Sequence, residues 1–144
     1  MSGLGAPLAP AGTPRAWVVF CDGVDIPWLR LLRRGFRHCF VVLNDGGHWI
    51  TVDPLAPLLE VKVAPVPSGY DLPGWFAGRG HTVVPAPVRR GLRQPAPTGP
   101  FTCVETCKRV LGVHARFLIT PWQLFRHLTG AGHRPVAAPP ALSS

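Results

Sequence analysis

The tightest local constraint in the chain is the tetrad Asn44-Asp45-Gly46-Gly47, which separates two β-rich runs at residues 36–43 (FRHCFVVL) and 48–53 (HWITVD). Turn-forming residues between β-branched and aromatic runs predict an antiparallel hairpin. If a four-residue loop closes with Leu43 opposite His48, His38 lies across from Asp53. Directly opposed residues share a face of the sheet, with Cβ atoms about 4.5–5.5 Å apart. A shorter loop would move that register, so the pairing depends on how the turn closes.

The rest of the chain supplies partners for this hairpin. Residues 16–21 (AWVVFC) form a continuous apolar run ended by Asp22-Gly23, which predicts a buried strand. Residues 26–34 place Trp28, Leu29, Leu31 and Leu32 among arginines, consistent with a short helix from Pro27 to Gly35. Further strands are predicted at 59–66 and 81–84. The Gly/Pro-rich stretch between them, 67–80, carries Tyr70, Trp75 and Phe76, which either line a groove or plug the edge of a small barrel. Residues 85–100 read as a Pro-rich basic connector. Two helices with explicit start signals follow. Thr102-Cys103-Val104-Glu105 has capping-box spacing, with Thr102 as cap and Gly112 as stop. Thr120-Pro121-Trp122-Gln123 repeats the pattern and ends at Gly130. The expected architecture is one α+β domain over 16–130, a small antiparallel barrel-like sheet with packed helices. Ala-, Pro-, Gly- and Ser-rich tails at 1–15 and 131–144 flank it.

Composition narrows the class. In 144 residues, 47% hydrophobic and 15% charged content allows a core and excludes a disordered polyampholyte. No window reaches the roughly 18 apolar residues of a membrane span, and residues 1–14 lack a signal-peptide pattern, so the expected location is cytoplasmic. Four cysteines are then expected as thiols. The net charge is +8, and 13 of the 15 basic residues are arginine. Clusters at Arg30, Arg33, Arg34 and Arg37 and at Arg89, Arg90 and Arg93 could receive an anionic partner. GC-rich codon usage explains the same bias, and no nucleic-acid motif is present.

The residue richest in chemical implication is Cys103. At a helix start, unpaired N–H groups and the positive end of the helix dipole stabilise a thiolate, and the Cys103 N–H can face a developing oxyanion. A thiol nucleophile needs a base and the base an orienting group. His38 and Asp53, opposed on the hairpin, supply both. Taken singly, each has a plainer explanation: a small residue in a packed helix, a strand histidine, and a strand-ending residue before Pro54. Metal binding was the competing chemistry, with Cys103 and Cys107 at i, i+4 joined by His38-Cys39 or Cys21. Structural zinc sites usually pair their ligands as C-x₂₋₄-C on turns, not along a helix, and His38 and Cys39 point to opposite faces of a strand, so no metal and no cofactor are expected. Cys39 and Cys21 are then core residues.

Residues 37–43 (RHCFVVL), followed by Asp45-Gly46 and 49–53, resemble the histidine hairpin of the permuted NlpC/P60 papain-like proteins, a group that includes lecithin retinol acyltransferase-like enzymes. The order of elements is also similar, with the opening strand at 16–21 and the His strand ahead of the Thr102-Cys103 helix start, over roughly 16–112. The resemblance implies a papain-like fold, with Cys103 as nucleophile, His38 as base and Asp53 as third residue. It further implies thiol-dependent hydrolysis or acyl transfer on a peptide, amide or ester. The acyltransferase branch has Asn-Cys at the helix start and a second histidine as third residue. Here Thr102 precedes Cys103, and Thr51 or His48 takes the orienting role if the loop closes differently. Trp49, Tyr70 and Trp75 are candidate substrate-binding residues. The alternative is a non-catalytic module on the same scaffold with a basic surface.

Overall fold

The computed structural model describes residues 16–22, 33–54, 59–88, 103–113, 115 and 118–139. Within them run β1 (Ala16–Cys21), β2 (His38–Asn44), β3 (Trp49–Pro54), β4 (Leu59–Val63), α1 (Leu72–Gly78), β5 (Thr82–Ala86), α2 (Cys103–Leu111) and α3 (Pro121–Gly130). The strands form one antiparallel sheet in the order β4-β3-β2-β1-β5. The fold is α+β, as the pattern predicts. The expected barrel is not formed: β5 pairs with β1 and β4 with β3, leaving an open sheet with β4 and β5 at its edges.

The physical reason lies in the central strands. Val18, Val19 and Phe20 of β1, and Cys39, Val41 and Val42 of β2, are all fully buried. Consecutive burial along a strand requires a layer on each face, and a small closed barrel without surrounding helices covers only its interior. One face carries Val18, Phe20, Cys39, Val41 and Val84 against Val104, Cys107 and Leu111 of α2 and Leu124 and Leu128 of α3. The other carries Val19, Phe40, Val42, Trp49 and Val83 against Leu72 and Ala77 of α1.

The hairpin closes through a loop of four residues, Asp45 to His48. Asp45 Oδ1 accepts hydrogen bonds from the N–H groups of Gly47 (2.8 Å) and His48 (2.5 Å), and Asn44 Oδ1 accepts from Gly46 (2.8 Å). Gly46 takes φ +94°, a conformation that favours glycine. Asn44 faces Trp49 and Leu43 faces Ile50, so the register is displaced by two residues from the expected one. Because the side-chain period of a strand is two, that displacement leaves every residue on its expected face.

The stretch 67–80, expected as a loop, contains α1. Asp71 caps it by accepting from Gly74 N–H at 3.0 Å, and a proline falls in its first turn, where a missing N–H costs nothing. At α3 the capping box is complete: Thr120 Oγ1 accepts from Gln123 N–H, and Gln123 Oε1 accepts from Thr120 N–H at 3.0 Å. After α3, residues 131–139 return to the sheet, where Val136 N–H donates to the Val83 carbonyl at 2.7 Å. The expected cap Thr102, most of the helix at 26–34, the connector beyond 88, and residues 1–15 and 140–144 lie outside the described residues.

Candidate active site

Two elements meet at the site. β2 opens with His38 and Cys39, paired across to Cys21 and Phe20 of β1. α2 opens with Cys103 and packs Val104, Cys107 and Leu111 onto the sheet face that Cys39 and Val41 occupy. The apolar spacing of α2 therefore brings its N-terminus to the start of β2.

His38 Nε2 and Asp53 Oδ1 are 2.7 Å apart, with both side chains largely shielded from solvent. The displaced register makes them diagonal neighbours instead of direct partners, a separation that long side chains still span. Thr51 is paired with Val42 and Lys62 in the ladder, and His48 sits in the exposed turn, 3.5 Å from Asp45. Asp53 is thus the residue that orients His38. With Nε2 committed to Asp53, Nδ1 is the ring nitrogen left for Cys103.

Three neighbouring groups favour the thiolate form of Cys103: the Cys39 thiol, the His38 imidazole and the Cys39 backbone N–H. The Cys39 thiol has the largest effect. Together with the imidazolium charge they outweigh burial, which favours the neutral thiol, and lower Cys103 from 9.0 to about 5. For His38, burial is the largest single influence and pushes its pKa down. The hydrogen bonds to Asp53 and Cys103 and the charges of both reverse that effect, raising it from 6.5 to about 10. Across neutral pH the pair is therefore thiolate and imidazolium, the form in which a cysteine nucleophile reacts.

Cys39 is the residue that sequence reasoning undervalued. It is fully buried, as expected of core, yet its thiol and its N–H both serve Cys103. Cys107 Sγ lies 3.5 Å from Cys39 Sγ, so a second thiol of α2 stands beside Cys39. The i, i+4 spacing of Cys103 and Cys107 is the one sequence signal for this cluster. Among the described residues, no group of three or more His, Cys, Asp or Glu is arranged to hold a metal ion.

The three aromatic candidates are dispersed. Trp49 is 4% exposed and packs at 5.2 Å from Trp17 in the core on the α1 face, remote from the face that α2 covers. Tyr70 and Trp75 are exposed, with the Arg79 guanidinium 4.7 Å from the Trp75 ring. Of the arginine clusters, Arg33 lies over Trp122 at 3.9 Å and Arg37 lies 4.0 Å from Asp22, while Arg30, Arg89, Arg90 and Arg93 fall outside the described residues. Comparison of the chain with protein-family models, with curated proteins and with solved structures finds no match.

Proposed function

We propose that the chain is a thiol-dependent hydrolase or acyltransferase acting on an amide, peptide or ester carbonyl through Cys103, His38 and Asp53. The observation that carries this reading is the 2.7 Å contact of Asp53 with His38 beside a cysteine that opens a helix, where the imidazole favours the Cys103 thiolate. The order of elements, a histidine hairpin ahead of a cysteine helix, supports the permuted papain-like relationship that the sequence resembles.

In the proposed reaction the Cys103 thiolate adds to the carbonyl carbon, and the oxygen gathers negative charge beside the start of α2, where the positive end of the helix dipole favours it. His38 then gives its proton to the departing amine or alcohol, leaving a thioester on Cys103. Water or an acceptor hydroxyl or amine passes a proton to His38, attacks the thioester and releases the product, which restores the thiolate–imidazolium pair. Asp53 keeps the ring turned toward the sulfur and balances its charge throughout.

The test is a panel of activated esters, thioesters and peptide amides, with acid-quenched intact mass and peptide mapping. The expected result is an acyl adduct on Cys103, with turnover reduced by about 10³-fold or more in Cys103→Ala. Turnover that survives Cys103→Ala, or an adduct confined to another residue, overturns the mechanism, whereas neither adduct nor turnover with any member of the panel favours a non-catalytic module.

A further inference from the structure

Acyl transfer leaves two of the clustered thiols without a chemical task. Cys39 and Cys107 are fully buried, whereas Cys103 is partly open to solvent. Cys39 Sγ lies 3.5 Å from Cys107 Sγ, and Cys103, one turn earlier on α2, packs against the same buried cluster that holds Cys39. Burial first, then its contacts with Cys103 and Cys107, hold the Cys39 thiol well above the ordinary range, so it is a neutral S–H pressed against a thiolate. Small uncharged oxidants attack thiolates that solvent reaches, and the oxidised sulfur then reacts with whichever thiol already touches it.

We propose that Cys39 is a resolving thiol: when a hydroperoxide oxidises Cys103, Cys39 captures it as an intramolecular Cys39–Cys103 disulfide that switches the nucleophile off reversibly. In the first step the Cys103 sulfur takes one peroxide oxygen, the O–O bond breaks, and the departing hydroxide or alkoxide leaves as water or alcohol with a proton from His38. Cys103 is then a sulfenic acid. In the second step the Cys39 sulfur attacks the Cys103 sulfur, the S–O bond breaks, and the hydroxyl leaves as water with the Cys39 proton. Two thiols are oxidised to one disulfide and one peroxide is reduced.

Cys107 is not the resolving residue, because it sits one turn along the same helix and its sulfur contact is with Cys39. Without a resolving thiol, the Cys103 sulfenic acid would advance to sulfinic acid, which ordinary thiol reductants do not reverse. The proposal rests on the clustering of the Cys39, Cys103 and Cys107 side chains and on a reactive Cys103, which the proposed function also needs, and not on acyl-transfer turnover.

The experiment treats the fully reduced chain with excess hydrogen peroxide, blocks remaining thiols with N-ethylmaleimide, and maps peptides by mass spectrometry before and after dithiothreitol. The expected product is a Cys39–Cys103 linked peptide pair, with Cys103 alkylation by iodoacetamide recovered after reduction. Cys39→Ala should lose that recovery and accumulate sulfinic acid at Cys103, while Cys107→Ala should still form the Cys39–Cys103 bond. Sulfinic acid at Cys103 in the unaltered chain with Cys39 still a thiol, or a disulfide joining Cys39 to Cys107 alone, overturns the proposal. The unaltered chain gives this answer even if Cys39→Ala fails to fold. A pH series of alkylation on the same sample separates the two ideas. An ordinary Cys103 pKa defeats the thiolate reading, whereas a low-pKa Cys103 that peroxide never links to Cys39 defeats only this one.

Discussion

Replacing His38 by Ala tests the ion pair at the centre of the site. In the intact chain Cys103 is held at about 5 against an ordinary 9.0. At pH 7 a thiol with the lower value is about 99% ionised and one with the higher value about 1%. The rate at neutral pH nevertheless says little. Thiolate nucleophilicity falls with pKa, with a Brønsted coefficient of about 0.4–0.5, so the low-pKa thiolate is intrinsically slower by about 40–100-fold. The two effects nearly cancel, and the midpoint of the pH profile carries the information. Alkylation of Cys103 by iodoacetamide, resolved by peptide mass spectrometry, should rise through a midpoint near pH 5 as the thiol ionises. A second inflection should follow near pH 10 as His38 loses its proton. His38→Ala removes a hydrogen bond and a positive charge but leaves the two Cys39 donors in place. The lower midpoint should therefore climb by about 1–3 pH units, and the upper inflection should vanish. An unmoved midpoint in His38→Ala, or an ordinary midpoint in the intact chain, refutes the pairing.

Asp53→Asn keeps the shape of the third residue but removes its charge, so His38 should lose its proton at lower pH than in the intact chain, read from the imidazole NMR signals or the alkaline limb of alkylation. An upper limb that stays in place would show that Asp53 does not hold the imidazolium. Trp49→Ala should destabilise the fold by about 3–5 kcal/mol in urea denaturation, because it empties a buried site in the α1-side core. Trp75→Ala, at an exposed position, should cost about 1 kcal/mol or less in the same assay. Thr120→Ala breaks the α3 capping box and should cost about 0.5–2 kcal/mol, with the two-state character of the transition retained.

Much of the secondary structure is legible from local patterns. β1 runs over the same residues as the apolar stretch that predicts it, and α2 and α3 begin at the expected Cys103 and Pro121. β4 stops at Val63 instead of residue 66, and β5 runs from Thr82 to Ala86 through Pro85, because an edge strand tolerates a residue that cannot donate. α1 was hidden by a stretch dense in Gly and Pro. Its start signal was present in Asp71 followed by Pro73, where proline opens a helix instead of breaking it. The sequence pattern does not separate an open sheet from a closed one, since an apolar run without alternation marks only a strand covered on both faces.

His38, Asp53 and Cys103 could be named from the sequence because turn chemistry, strand alternation and capping act over a few residues at a time. Alternation fixed that His38 and Asp53 share a face, and the capping pattern fixed that Cys103 opens a helix. Packing decided the rest: that the hairpin turn sits one residue further along and shifts the register by two, that His38 meets Asp53 diagonally, and that the start of α2 comes down on the start of β2. The role of Cys39 belongs wholly to that second category. Its sulfur meets those of Cys103 and Cys107 only because the apolar face of α2 buries against one face of the sheet. No local rule encodes a contact made by side-chain volumes fitting together across distant parts of the chain.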